Sequence, residues 1–522
     1  MLRRGWTAIT VALAGMAMLA TPASAGHPGE GVLGGSLTAS AASASEDMEL
    51  LANSPNPETT NSDLAFWGDL AYAGNYDGFR ILDISDPRNP EVLTDFACRG
   101  PQNDVGVWDT GDQRLLFLSI DSRQATEECE SGPGSSTGGF EGIRIFDVTD
   151  PRNPQFIEGV ATDCGSHTHT VVPARKRRNG EYVTDPDNPN RVLIYVSSYP
   201  LGPGIHGDDE ETEDNSECGL PDPTPHNVES IVEVPFDDPS QAKVINQLFL
   251  GPATVGCHDV GVHLGADLAA AACLTEGQIW DISNPAEPVI TDRIVNPDIE
   301  IWHSGSFTWD AEVAIFGDEE GGAAATHGCN NAVLGQAPGA IWFYDVESPA
   351  VPQDSFTQKR GQLDLICTAH NYNVVPGIDR DVLVSSFYSA GTGVIDFTRP
   401  FDGLADTSDP REIGFYDAAA GDGGNPEDAN TWSTYFYNGL EVANDIDRGV
   451  DIFRYLGPET RGATPLDHLN PQTQERFIAA REDEDDDDED EGDEGSDDSD
   501  DDQDREESDD DSDDSDDDDS DD

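Results

Sequence analysis

The chain has 522 residues and carries 105 Asp and Glu residues against 27 Lys and Arg, a formal net charge of −78 at pH 7. This acidic balance argues against nucleic acids and anionic membrane surfaces as partners, because both would be repelled. It is compatible with solubility at high salt or with association with cations.

The first residues have the layout of an export signal. Arg3 and Arg4 precede an apolar run from Ala8 to Ala20, and an Ala-Ser-Ala sequence ends at Ala25. This pattern predicts a secretory signal peptide over residues 1–25. The run is shorter than the ~20 apolar residues that a transmembrane helix needs. We therefore expect a protein that is secreted or associated with the cell surface.

Residues 26–61 read as a small, polar leader segment, with a short helix predicted around Glu46–Ala52. The phrase FRILDISDPRNP at Phe79–Pro90 then returns as IRIFDVTDPRNP at Ile143–Pro154. Each copy is a strand-like apolar run followed by an Asp-Pro turn, and such self-similarity is typical of repeat architectures. Weaker copies lie at Val228–Pro239, Gln278–Pro288, Ile341–Pro352, Gly393–Pro400 and Gly449–Pro458.

Seven sheet units predict an all-β fold, a seven-bladed β-propeller over residues 62–460. We place the blades at Ser62–Phe96, Asn103–Gly159, His167–Gln247, His258–Ile294, His303–Phe356, His370–Tyr416 and Trp432–Tyr455. A short helical linker is predicted over residues 461–481. Residues 482–522 hold 31 Asp or Glu against one Arg. They carry no aromatic or aliphatic side chain, so we predict a disordered acidic tail.

The phrases ILDISDPRNP and IFDVTDPRNP resemble the LVIVD repeat. This repeat occurs in exported bacterial and archaeal proteins thought to be β-propellers. The resemblance extends from about Asn61 to Tyr455 and is strongest in blades one, two, four and five. It implies a fold and an extracellular compartment, but no particular activity, so function has to be argued from a site.

The eight cysteines are an even number, so all can pair, and 105 connectivities are open in principle. Four of them precede a predicted innermost strand, and the other four lie at or after a second strand, which would place all eight on one face. Sequential pairing repeats one geometry in successive blades, and we prefer it to the alternatives. The preferred pairs are Cys98–Cys129, Cys164–Cys218, Cys257–Cys273 and Cys329–Cys367.

Four successive blades carry a histidine at one register, four residues before the first apolar residue of the innermost strand. These residues are His167, His258, His303 and His370. Residues at the start of innermost strands face the mouth of the axial channel. Neutral imidazoles that converge there could hold a transition metal ion such as zinc, copper or iron.

Other residues near this register could orient the imidazoles or replace one of them as a ligand. They are His169, His263, Asp104 and Asp259. The alternative is that all these groups line the channel and bond backbone and water without a metal. A calcium ion is also conceivable at the acidic loop His206–Glu217 or at the tail.

We predict a secreted or cell-surface interaction module that binds an unknown extracellular protein or surface ligand. The alternative is a metal-dependent oxidoreductase or hydrolase with the four histidines as ligands. No catalytic residue can be named from the sequence.

Overall fold

A computed structural model describes residues 43–129, 139–173, 175–178, 181–184, 190–200, 226–319, 339–358, 367–399, 409–417, 430–476 and 478. The chain divides into two compact units, Met1–Arg481 and Glu482–Asp522. The predicted signal peptide and the predicted acidic tail lie outside the described residues.

The N-terminal half of the described chain forms two short strands and three blades. The first strands are β1 (Ser43–Ala44) and β2 (Met48–Pro55). Blade 1 contains β3 (Asn61–Trp67), β4 (Leu70–Asn75), β5 (Gly78–Asp83) and β6 (Glu91–Ala97). Blade 2 contains β7 (Gln102–Asp109), β8 (Arg114–Ala125), β9 (Phe140–Asp147) and β10 (Gln155–Ala161). Blade 3 contains β11 (Thr168–Pro173), the hairpin β12 (Arg175–Arg178) and β13 (Glu181–Thr184), β14 (Arg191–Ser197), β15 (Val228–Pro235), a 3₁₀ turn at Pro239–Gln241, and β16 (Lys243–Phe249).

Four further blades follow. Blade 4 contains β17 (Asp259–His263), β18 (Leu268–Cys273), β19 (Glu276–Asp281) and β20 (Val289–Ile294). Blade 5 contains β21 (Trp302–Phe307), β22 (Val313–Asp318), β23 (Ile341–Asp345) and β24 (Pro352–Phe356). Blade 6 contains β25 (Tyr372–Val374), β26 (Val382–Ser386), β27 (Thr392–Asp396) and β28 (Arg411–Asp417). Blade 7 contains β29 (Thr431–Tyr437), β30 (Leu440–Asp445) and β31 (Gly449–Tyr455), and the chain continues to β32 (His468–Leu469) and β33 (Thr473–Gln474).

In blades 1 to 6 the chain runs through antiparallel strands from the innermost to the outermost, whereas blade 7 takes its outermost strand from β2 near the N-terminus. The innermost strands of blades 7 and 1 meet, because the Tyr435 hydroxyl donates a hydrogen bond of 2.6 Å to Asp63. The prediction of a seven-bladed β-propeller is therefore confirmed. Apolar clusters fill the spaces between neighbouring blades; one of them joins Phe79 of blade 1 to Leu118 of blade 2.

The aspartate of the sequence repeat ends the third strand of a blade and begins the turn to the fourth. In each case its Oδ1 accepts a hydrogen bond from the backbone N–H two residues further on, at 2.8–3.1 Å. This local turn is the reason for Asp at that position. The aspartates are Asp83, Asp147, Asp281, Asp345 and Asp396.

The predicted helix around Glu46–Ala52 is wrong, because this segment forms β2, the outermost strand of blade 7. It pairs with β31, from Met48 opposite Tyr455 to Pro55 opposite Gly449. Local composition suits a helix. The segment forms a strand because β31 would otherwise expose an unpaired edge, and pairing satisfies the backbone groups of β31. The predicted leader segment thus contributes to the propeller and closes its ring.

The described residues 461–476 of the predicted helical linker form turns, irregular segments and the short strands β32 and β33. The predicted helix at Gln474–Arg481 lies largely outside the described residues and stays a prediction. We call residues 466–476 the C-terminal strap. Its β32 pairs antiparallel with β3 of blade 1, and its β33 pairs parallel with β17 of blade 4. The strap therefore lies along the free inner edges of the innermost strands, whose backbone groups it satisfies.

The structure contains the Cys98–Cys129 and Cys257–Cys273 disulfides, two of the four preferred pairs. Cys164 and Cys367 are also disulfide-bonded. Their preferred partners, Cys218 and Cys329, lie outside the described residues, so those two pairings stay predictions. In the described part of the chain, no helix has the length and apolar character needed to cross a membrane.

Candidate metal centre

The four histidines at one register lie side by side at the start of their innermost strands. We call His167, His258, His303 and His370 the histidine arc. The ring centroids of neighbouring imidazoles are 4.3, 3.8 and 4.3 Å apart along the arc. All four side chains are buried. The structure thus brings the predicted residues together, while metal binding itself stays a prediction.

Blades 4 and 5 approach closely at two glycines of their innermost strands. A Cβ atom on Gly261 of β17 would lie only 2.1 Å from the carbonyl oxygen of Gly305 on β21. A larger residue at Gly261 would push β17 away from β21, and one at Gly305 would clash with Ala270 of β18. This close approach matches the shortest ring separation in the arc, the 3.8 Å between His258 and His303.

A second set of side chains lies beside the arc, and sequence reasoning missed it. In blades 3, 4 and 6 the backbone N–H of the arc histidine donates to a residue at the end of the second strand. Two positions further on, the chain places a side chain at the channel mouth. The equivalent residues in blades 1 to 7 are Tyr76, Asp121, Tyr199, Leu274, Glu319, Tyr388 and Ile446. Four of them contact the arc: Asp121, Tyr199, Glu319 and Tyr388.

Glu319 completes a group of three potential metal ligands. One ligand atom each from His258, His303 and Glu319 lies within 4.8 Å of the other two, and all three residues are buried. Glu319 approaches His303 Nε2 to 3.7 Å and His370 Nε2 to 3.9 Å. A bulge in the pairing of β21 with β22 at His303 brings Glu319 to this position.

The imidazoles of this group are neutral. Burial lowers the pKa of His258 and His303 well below the usual value, and the neighbouring imidazoles lower it further. Burial also lowers the pKa of His370 to about 3. In contrast, burial raises the pKa of Glu319 to about 7. Neutral imidazole is the form that binds metal ions.

Several ring nitrogens in the group have no hydrogen-bond partner among the described residues. Nδ1 of His370 bonds the carbonyl oxygen of Trp432, which can only accept, so Nδ1 carries the hydrogen and Nε2 is a lone pair. That lone pair faces the Glu319 carboxylate. Nδ1 of His258 and both ring nitrogens of His303 have no hydrogen-bond partner among the described residues. Each neutral imidazole carries one N–H and one lone pair, and leaving such polar atoms buried without partners is costly. A cation bound to the lone pairs would relieve part of that cost.

His167 has different surroundings from the other three histidines. The Gln102 amide lies 2.9 Å from its Nε2 and 3.0 Å from its Nδ1, and the Tyr199 hydroxyl lies 3.2 Å from Nε2. Asp121 is 3.4 Å from Nδ1. His167 is thus held by hydrogen-bonding neighbours, and it lies outside the three-ligand group.

Two residues that touch the site have left-handed backbone conformations. Tyr388 has φ 43° and Gln102 has φ 71°. The Tyr388 hydroxyl donates a hydrogen bond of 2.5 Å to Glu319, and Gln102 contacts His167. Bulky residues rarely adopt positive φ, and such strain concentrates at functional sites.

The other predicted residues have partners away from the arc. The His169 imidazole and the Ser119 hydroxyl share a hydrogen bond of 2.7 Å. The Asp104 carboxylate accepts a hydrogen bond from the His169 backbone N–H. His263 Nε2 donates to the Trp309 carbonyl. The Asp259 carboxylate accepts a hydrogen bond from the next backbone N–H of its own strand. It also accepts one of 3.5 Å from the Thr168 hydroxyl. These hydrogen bonds of the four residues, within the described part of the chain, do not involve an arc imidazole.

A separate chain of Ser198, His226 and Asp163 resembles the order of a nucleophile, base and orienting acid. The Ser198 hydroxyl is 3.1 Å from His226 Nε2, and His226 Nδ1 is 3.2 Å from the Asp163 carboxylate. However, Ser198 is fully buried and donates at 2.9 Å to the Asp163 carbonyl. We interpret these contacts as an anchor for the turn that carries Cys164. The acidic loop proposed for calcium lies outside the described residues.

Comparisons with known proteins agree with this architecture. Residues 60–96, most of blade 1, match the LVIVD repeat family. The protein is a seven-bladed β-propeller that contains an LVIVD repeat in blade 1.

Two solved structures match part of the chain at low identity. Raptor from Chaetomium thermophilum matches with a TM-score of 0.44 and 11% identity over 78% of this chain, which spans only 29% of the Raptor chain. The Dos1 propeller matches with a TM-score of 0.40 and 10% identity, over 78% of this chain and 81% of that one. No curated protein matches the sequence.

Proposed function

We propose that the protein is an extracellular binding module whose axial pocket holds a divalent transition metal ion on His258, His303 and Glu319. The observation that carries the proposal is the convergence of three buried potential ligands, whose ring nitrogens Nδ1 of His258 and Nδ1 and Nε2 of His303 have no hydrogen-bond partner among the described residues. A cation would satisfy one lone pair of each imidazole by coordination.

The chemistry of the donors favours zinc, copper or iron. Imidazole nitrogen suits these ions, and a carboxylate commonly completes such a set. Bonds of about 2.0–2.2 Å place two donors of one ion roughly 4 Å apart or closer, so donor atoms within 4.8 Å need only small adjustments.

The extracellular assignment rests on the predicted signal peptide and is supported by the disulfides. A propeller is a rigid platform with loops on its faces, which suits recognition of a surface ligand or another protein. The metal-dependent enzyme, predicted as the alternative, would need a substrate as well as metal ligands. The proposal therefore stops at binding.

Elemental analysis of the full-length exported protein after desalting tests the metal proposal. We expect near-stoichiometric transition metal in the wild type, and its loss in His258→Ala and Glu319→Gln. His468→Asn is the matched control, because His468 lies on the strap and bonds Glu475. The proposal fails if the purified protein carries no transition metal and binds none when offered zinc, copper and iron. It also fails if His468→Asn loses as much metal as His258→Ala.

A further inference from the structure

We propose that the Cys257–Cys273 disulfide positions the metal ligands, because it joins the backbone of His258 to the backbone that carries His303. This inference rests on the proposed function and deepens it, since it names the covalent link on which the affinity of the site depends.

One end of the disulfide lies beside His258, which directly follows Cys257. The His258 backbone N–H donates a hydrogen bond of 2.8 Å to the carbonyl oxygen of Ala272 on β18. Its carbonyl oxygen accepts one of 2.6 Å from the Thr168 hydroxyl of blade 3. One residue away, the fully buried bond from Cys257 to Cys273 adds a covalent connection between the same two strands. The backbone of this ligand is therefore fixed on three sides.

The other end of the disulfide leads to His303 through a backbone bridge. Leu274 follows Cys273, and its N–H donates to the carbonyl oxygen of Trp302 at 3.2 Å. In return, the Trp302 N–H donates to the Leu274 carbonyl oxygen at 2.9 Å. Leu274 adopts a left-handed conformation with φ 57°, which a bulky residue rarely takes unless its surroundings impose it. Since Trp302 directly precedes His303, a short path of covalent and hydrogen bonds connects the two imidazole ligands.

Glu319 is bonded to the same segment of backbone. Its N–H donates a hydrogen bond of 3.1 Å to the carbonyl oxygen of Ile301. The preceding residue, Asp318, accepts one of 3.0 Å from the Ile301 N–H through its Oδ1. Residues 301–303 therefore connect to Glu319 on one side and, through Leu274, to the disulfide on the other. All three proposed ligands belong to one connected backbone unit.

His303 depends strongly on this unit for its position. Neither of its ring nitrogens has a hydrogen-bond partner within the described residues, and its ring centroid lies 3.8 Å from that of His258. A metal-binding imidazole is usually oriented by a hydrogen bond from its second nitrogen. Here the backbone takes that role. Without the disulfide, the ends of β17 and β18 can separate, and the two imidazoles can separate with them.

The double variant Cys257→Ser/Cys273→Ser tests the proposal in the full-length protein. Serine removes both sulfur atoms, so no free thiolate can bind the metal instead. We expect the dissociation constant for zinc, measured by competition with a chromogenic chelator, to rise roughly 10- to 100-fold, as for lost groups that orient metal ligands. We also expect an altered visible spectrum of the Co²⁺-loaded protein, which reports the geometry of the ligands.

Cys98→Ser/Cys129→Ser is the matched control. It removes a disulfide that also precedes an innermost strand, β7, but blade 2 has Asn103 at the register of the arc histidines. We expect this variant to lose stability while its zinc affinity and Co²⁺ spectrum stay those of the wild type. Circular dichroism establishes that each variant is folded at the temperature of the titration.

Thr254→Val replaces the double variant if the latter does not fold. The Thr254 hydroxyl lies 2.7 Å from the carbonyl oxygens of both Gly256 and Cys273, so its loss loosens the ends of the two strands and keeps the disulfide. We expect a smaller rise in the zinc dissociation constant. Unchanged zinc affinity in the variant used, or an equal loss in the Cys98/Cys129 control, would overturn the positioning role and leave the metal proposal intact. If the wild type binds no metal, the proposed function fails first.

Discussion

Tyr388 combines a strained backbone with a contact to the proposed metal ligand. A tyrosine at φ 43° costs roughly 1–3 kcal/mol relative to an ordinary conformation. In this conformation its hydroxyl bonds Glu319 and its ring packs 4.7 Å from the His370 ring. We interpret Tyr388 as the residue that positions the Glu319 carboxylate toward His258 and His303.

Tyr388→Phe should therefore weaken metal binding without loss of the fold. We expect the dissociation constant for zinc to rise about tenfold, because one hydrogen bond to the carboxylate is lost. Competition with a chromogenic chelator measures it. Tyr435→Phe is the matched control, since Tyr435 is also buried and bonds a carboxylate, Asp63, away from the proposed ligands. Equal effects of the two substitutions would contradict a positioning role for Tyr388.

The histidine arc could be predicted from the sequence, because its members share one register on the innermost strands and the register is visible in HTHTVVP and HNYNVVP. Glu319 could not be predicted in the same way. It follows the second strand of blade 5, and it reaches His303 only through the pairing of β21 with β22. Aligning the blades at the residues that follow each second strand would have identified Glu319 as a candidate.

At the scale of elements, side-chain amides complete the free edges of the innermost strands. Asn470 bonds both backbone groups of Val107, at 2.8 Å each. Gln474 does the same for Phe307, at 3.2 and 2.9 Å. In this way the strap connects blades 2 and 5 and imitates a neighbouring strand.

The double variant Asn470→Ala/Gln474→Ala should destabilise the propeller. It leaves buried backbone groups of β7 and β21 without partners, at about 1–3 kcal/mol for each lost amide. We expect a fall of at least about 2 kcal/mol in the free energy of unfolding, measured by denaturant titration. Gln155→Ala, at a surface amide on β10, is the control and should change little. If the strap contributes nothing to stability, the double variant and Gln155→Ala will have the same free energy of unfolding.

The repeats allowed the strands, their turns and the blade number to be predicted, because each Asp-Pro turn is encoded locally. The predicted helix around Glu46–Ala52 failed because β2 takes its conformation from the unpaired edge of a distant strand, and no local pattern contains that information. The strap likewise takes its conformation from pairing with distant strands.

At the scale of the whole molecule, the propeller buries many carboxyl groups. Burial raises the pKa of several of them; Glu229, Glu441 and Asp445 each reach about 8. Asp63, Asp104 and Asp259 are shifted in the same direction. The folded protein therefore holds protons at neutral pH that the unfolded chain releases.

Glu441 provides the test, because it lies at the far end of β30 from the channel mouth and accepts from the Tyr455 backbone N–H. Its pKa is raised from 4.5 to about 8, so folding stability falls as pH rises between these values and is constant above them. The slope for one proton is about 1.4 kcal/mol per pH unit. Buried neutral histidines act in the opposite sense, but only below pH about 6.5.

We expect the free energy of unfolding to fall from pH 6.5 to pH 8, and to fall less steeply in Glu441→Gln. Denaturant titration at several pH values measures both slopes. Glu91→Gln, at an exposed glutamate, is the control and should keep the wild-type slope. Identical slopes in the wild type and Glu441→Gln would contradict the account of this carboxyl.

The central claim is that one transition metal ion binds at the axis between blades 4 and 5. Anomalous diffraction from crystals of the natively exported protein, recorded on both sides of the metal absorption edge, tests it most directly. The account predicts a single strong peak about 2 Å from donor atoms of His258, His303 and Glu319. A crystal without a peak at the axis, or with a peak elsewhere only, would contradict it.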